Sequence, residues 1–139
     1  LKESIDRLLE YPIGMTLGLF SVAILELIVF LYCFEFAARY RCWDEIKRGN
    51  MAAALATAGK IFGICNIIRY SAALHGTIYD FMIWSFAGTI LLFISYILFE
   101  FVTPVFRIDR EIAEDNRAVG IIALGISVSL SFVIGASLG

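Results

Sequence analysis

A chain of 139 residues that is 60% apolar, with a mean hydropathy of +0.86, lies well above the roughly 45–50% apolar share of soluble domains and reads as a membrane protein. Its net charge of −2 says nothing about partners, because in a membrane protein the placement of charge decides. A single histidine excludes a multi-His metal or haem site within one subunit, and no phosphate-binding Gly-rich loop or serine beside a base is present, so neither enzyme activity, cofactor nor nucleic-acid partner is expected.

In chain order, Leu1, Ile5, Leu8 and Leu9 recur at helical spacing among Lys2, Glu3, Asp6, Arg7 and Glu10. This predicts an amphipathic helix along the membrane surface, ended by Pro12. Four apolar stretches follow, near 13–38, 52–74, 78–102 and 118–138, each long enough to cross about 30 Å of hydrocarbon as helix. Residues 13–34 are too long and too lightly flanked by positive charge for a cleaved signal, so they read as a retained helix. Cys33, Cys42 and Cys65 form no metal-type spacing, Cys33 and Cys65 fall inside spans, and the three read as buried free thiols that behave as small hydrophobes.

The first span carries Glu26 and ends at Phe34-Glu35-Phe36, and the connector beyond it holds Arg39, Arg41, Lys47 and Arg48. The second opens at Gly49-Asn50, with Asn50 as N-cap, and is rich in small residues, including Gly59 and Gly63 four apart, which close helix packing in lipid requires. A turn with His75 and Asp80 follows. The third span, with Trp84, Phe86, Phe93, Tyr96 and Phe99, is too bulky for close backbone contact and is expected to face lipid or a partner. After Pro104, a connector with Arg107, Arg110 and Arg117 leads to the fourth span, which holds Gly120, Gly125, Gly135 and several serines.

One phrase occurs twice. Phe34-Glu35-Phe36 returns as Phe99-Glu100-Phe101 at an offset of 65, and Glu45-Ile46, Asn50, Ala52 and Gly59 return as Glu111-Ile112, Asn116, Ala118 and Gly125 at 66. A repeat of two apolar segments is a repeat of one membrane hairpin. The expected architecture is therefore an all-α, integral membrane four-helix bundle forming one domain over 1–139. It comprises two parallel hairpin repeats, at about 13–76 and 77–139, related by an axis along the membrane normal. The two repeat connectors hold seven Lys and Arg residues, against Lys2 and Arg7 in the tail and outer turn, so both connectors are expected in the cytoplasm and both termini outside.

At these repeated residues, and above all at Glu45-Ile46-Lys47-Arg48-Gly49-Asn50-Met51-Ala52-Ala53-Ala54, the chain resembles a bacterial membrane family catalogued as domain of unknown function 350. The resemblance implies a four-helix inner-membrane protein of two tandem two-helix repeats, and it brings no activity, substrate or catalytic residue.

Glu26 and Lys60 are the candidate site. Each lies ten residues from its connector boundary, Phe36 or Asn50, or about 15 Å along the helix, so the two are expected as a charged pair at one depth near the midplane. One such charge costs about 2.5–3.5 kcal/mol to place there. The repeat puts Leu91 and Ile126 at the corresponding positions, so both charges are absent together from the second copy. Glu35 and Glu100 read as symmetric capping acids beside the helices opened by Asn50 and Asn116, or as acids at a pore mouth. Gly59, Gly63 and Gly125 are the expected packing positions.

Two functions compete. One is a structural or assembly subunit, with the lipid bilayer and other copies or other membrane subunits as partners. The other is an ion or proton channel or transporter subunit that uses the Glu26–Lys60 pair.

Overall fold

A computed structural model describes residues 1–38, 40–74, 76–102 and 108–138, with the backbone alone at 100–102. The described residues form seven helices and no strand: α1 (Lys2–Leu9), α2 (Pro12–Ala37), α3 (Cys42–Lys47), α4 (Met51–Leu74), α5 (Ile78–Val102), α6 (Ile108–Ala113) and α7 (Arg117–Ser137). The fold is an all-α bundle in which α2, α4, α5 and α7 are long and apolar enough to cross a membrane. Arg39, His75, Pro104, Arg107 and the Glu100 side chain lie outside the described residues.

Local chemistry sets the boundaries. Pro12 opens α2, where its missing N–H would have had no partner and its fixed φ already suits a helix. Thr16 and Ser21 donate their hydroxyls to the carbonyls of Pro12 and Leu17, four residues back, which satisfies them without water. α1 buries no residue and lies against the start of α5, where Tyr79 Oη donates to Asp6 Oδ1 at 3.0 Å.

The repeated phrase has a bonding explanation. After α3, Gly49 takes a left-handed φ of +88°, Gly49 N–H donates to Ile46 O at 2.9 Å and Asn50 N–H donates to Glu45 O at 2.9 Å. This is a Schellman stop. Asn50 then caps α4, its Oδ1 accepting from Ala53 N–H, while its Nδ2 donates to Glu45 Oε2. Sixty-six residues on, Asp115 N–H donates to Ile112 O, Asn116 N–H to Glu111 O and Asn116 Nδ2 to Glu111 Oε2, with Asn116 Oδ1 capping Val119 N–H. Glu, Ile and Asn recur in sequence because they form one stop-and-start device between two helices.

α4 sits at the centre, and its small residues bring it against α7 backbone to backbone. A Cβ on Gly59 would come within 2.7 Å of Leu124 Cα, and one on Gly120 within 2.7 Å of Ala52 Cα. A Cβ on Gly63 would come within 3.2 Å of Ser127 O, whereas one on Gly125 would meet nothing within 4 Å. Gly125 therefore does not serve the packing role its repeat partner Gly59 occupies.

α5 also departs from expectation. Its rings fill the space toward α2, Phe86 against Phe30 at 5.7 Å and both Phe93 and Tyr96 against Phe34 at 5.1 and 5.8 Å between centroids. Bulk that forbids backbone contact is what spans the wider gap between these two helices.

Candidate functional site

The buried polar groups of the bundle gather at three levels. At the first, the Glu26 side chain has no exposed surface, and its Oε1 accepts from Thr89 Oγ1 at 2.8 Å. Ser85 and Thr89, one turn apart on α5, are equally buried and line the same contact.

Lys60 stands at the second level. Only 2% exposed, it places Nζ 4.5 Å from the Tyr96 ring centroid and 5.3 Å from that of Phe34. Two ring faces there supply the attraction that water would give a cation elsewhere. Phe34 is eight residues beyond Glu26 on α2, or about 12 Å along the axis. The expected pairing of Glu26 with Lys60 is thus replaced by two separate settings, a hydroxyl for the acid and a ring basket for the base.

The reason is direction. Side chains on a helix lean toward its N-terminus. The α2 and α4 helices run antiparallel, so from equal Cα depths Glu26 leans away from the connector and Lys60 toward it.

The Lys60 level continues into the first connector. A cavity of about 10 Å³, space for a single water, is lined by Leu31, Phe34, Glu35, Cys42, Trp43, Thr57 and Lys60. The Glu35 carboxylate accepts from Cys42 N–H at 3.1 Å. Glu35 therefore caps the short α3, not the Asn50-opened helix that sequence reasoning assigned to it. Burial pushes the Cys42 thiol up to about 11, with the Glu35 hydrogen bond adding and the Lys60 charge opposing. Burial also holds the Tyr40 phenol above its usual range, helped by Tyr96, Cys42 and Asp109. Asp109 and Tyr40 joined this cluster without a sequence signal. Asp109 reads as one of several connector acids, and only the fold turns it inward.

At the third level α4 and α7 share a polar seam. Asn66 Nδ2 donates to Ser131 Oγ at 3.0 Å, and Arg69 donates to Asn66 Oδ1 through Nε and Nη2 at 3.3 and 3.0 Å. Arg69 also covers the Tyr70 ring, so it is held by its own helix.

The two connectors bind each other. Asn50 Nδ2 donates to Ile112 O at 2.8 Å and Ala113 O at 3.3 Å, and Asp115 Oδ1 accepts from Ala52 N–H at 3.1 Å. The α4 N-terminus is thereby capped from both halves of the chain. Asp115 reaches it only by adopting φ +59°, a left-handed conformation that Asp tolerates better than most residues.

Among the described residues no group of three His, Cys, Asp or Glu side chains is placed to hold a metal ion. The family model described as Domain of Unknown Function (DUF350) matches residues 8–138. The UPF0719 transmembrane protein YshE of Bacillus subtilis (strain 168) is 49% identical over 119 residues, which cover 86% of this chain and 89% of that protein. No solved structure matches.

Proposed function

The chain belongs to the DUF350 family and is a multi-pass membrane protein, and from that footing we propose that it serves as a structural or assembly subunit of a membrane complex, built with copies of itself or with other membrane subunits. It is not an enzyme on this reading. Its two hairpins are tandem repeats, its connectors face the cytoplasm across the inner membrane, and both termini lie outside, as the Lys and Arg distribution favours.

The observation that carries the reading is the state of α2. This helix of 26 residues buries only Glu26, Phe30 and Phe34. Two grooves flank its outward face. One, of about 460 Å³, is lined by Phe30, Tyr32, Cys33, Phe36, Ala37 and Phe93, and another, of about 370 Å³, by Ile28, Leu31, Tyr32 and Trp43. In lipid, apolar area alone does not drive helices together, so association needs shape and polar bonds. Aromatic ridges beside open grooves offer shape to a further transmembrane helix. The competing transport reading relied on Glu26 and Lys60 at one level, and it is weakened by their separate settings.

Cys33 and Cys65 are exposed on the helix surfaces and not buried as the sequence predicts, and Cys33, in the larger groove, gives the test. Membrane-permeant thiol cross-linking in native membranes is expected to yield adducts heavier than the monomer, lost in Cys33→Ser. Monomer alone at every expression level would overturn the proposal.

A further inference from the structure

Glu26 and its hydroxyl neighbours form a bonding unit that admits two arrangements of hydrogen. Glu26 is wholly buried, and its Oε2 has no hydrogen-bond partner among the described residues. Thr89 Oγ1 lies 2.8 Å from Glu26 Oε1 and also 2.8 Å from the Ser85 carbonyl oxygen, both of them acceptors for its hydrogen. A hydroxyl has one hydrogen, so it serves one acceptor at a time.

Which one it serves is decided by Glu26. With the carboxyl ionised, Thr89 donates to Oε1, a charge-assisted bond. With a proton on Oε1, the acid donates to Thr89 Oγ1, and the Thr89 hydrogen turns to Ser85 O. The protonated state uses both short contacts and the ionised state uses the Oε1 contact alone, and no heavy atom has to move between them.

The geometry points to Glu26 as a reversible proton-binding site inside the membrane, with Thr89 as the positioning residue that bonds Oε1 in both of its states. The proton comes from water and returns to water, converting carboxylate to carboxylic acid and back, and no bond between heavy atoms forms or breaks. This claims binding with Thr89 as partner, not a path built on Lys60, and it stands apart from the assembly reading. Intramembrane acids are commonly parts of proton relays.

The elements packed against α2 are consistent with it. From α5, Ser85 and Thr89 face the carboxyl, and Ser85 Oγ is positioned to donate to Met82 O at 3.2 Å. From α4, Lys60 is turned toward Phe34 and Tyr96, and Arg69 bonds Asn66. From α1, Asp6 bonds Tyr79 at the far end of α5.

The test is infrared difference spectroscopy on the full chain in lipid nanodiscs, taken from acid to alkaline pH over the range in which the helices persist. Expected is a protonated-carboxyl C=O band that disappears as pH rises, shifts in deuterium oxide and is absent in Glu26→Gln. Thr89→Val should raise its frequency and move its midpoint, and Thr89→Ser should restore both. Should Glu26→Gln fail to fold, Glu26→Asp, which keeps the acid, must displace the band. No band dependent on residue 26, a band of constant intensity at every pH, or a Thr89→Val spectrum identical to the parent's would each overturn the proposal. The Cys33 cross-linking result is independent of all of these.

Discussion

Lys60 shows how far residue counting reaches and where it stops. Counting from Phe36 and Asn50 fixes the Cα depths, but a Lys side chain is longer than a helical turn, and antiparallel neighbours send equal depths in opposite directions. That both residues would be buried was legible, since a charge in an apolar run must find a partner inside the bundle. Their particular partners, Thr89 for one and the Phe34 and Tyr96 rings for the other, depend on how α5 rotates against α2, which the apolar pattern of α5 leaves open. The separation has a measurable consequence. The unfolding free energies of Glu26→Gln, Lys60→Met and the double variant in detergent should add to within about 0.5 kcal/mol, as well-separated sites do. A coupling above about 1 kcal/mol would restore the direct pair. Cys42 supplies a pH prediction. Its thiol is raised from about 9 to about 11, so the folded state favours the neutral form. The corresponding stabilisation is present below pH 9 and is lost as pH climbs toward 11, about 2–3 kcal/mol in all. Unfolding midpoints measured from pH 8 to 11 should fall, and Cys42→Ala should flatten the fall.

Among the elements, the four spans were legible almost to the residue, because long apolar runs bounded by Pro12, Asn50 and Asn116 leave little freedom in where a helix starts. The connector helices α3 and α6 were not, since six residues of mixed charge carry too little periodicity to announce a helix. Gly59 and Gly125 occupy equivalent places in the repeat yet face opposite environments, one against the Leu124 backbone and the other open. Periodicity identifies the stripe of small residues, but helix rotation chooses which member of it touches. Gly59→Ala should therefore destabilise by about 1–3 kcal/mol through forced displacement of backbone, whereas Gly125→Ala should be neutral or stabilise by up to about 1 kcal/mol from helix propensity. Thermal or denaturant unfolding in micelles separates the two, and equal losses would contradict the α4–α7 contact. Asn50→Ala removes a cap and the bonds to Ile112 and Ala113 together. Its loss should exceed the roughly 1 kcal/mol of an ordinary N-cap, and a smaller loss would mean the connectors do not support each other.

For the whole molecule, reporter fusions after Leu138 and within 108–115 test the orientation. An outside signal at the first and a cytoplasmic one at the second are expected, and a cytoplasmic C-terminus would reverse the arrangement. The four-helix bundle was readable from the apolar runs, but the way its connectors meet was not, because part of that contact rests on a departure from the doubled phrase. Where the first half has Gly49, the second has Asp115, and the Asp115 carboxylate reaches across to the amide of Ala52. The contact runs one way only, since a glycine has nothing to send back. Expressed as two separate fragments divided at the 76–77 turn, the halves should consequently recognise each other in preference to themselves: a first-half fragment paired with its own kind would leave the amide of Ala52 uncapped. A symmetric pair of identical hairpins could exchange its members freely, whereas in this chain the order of the two decides which amide is capped.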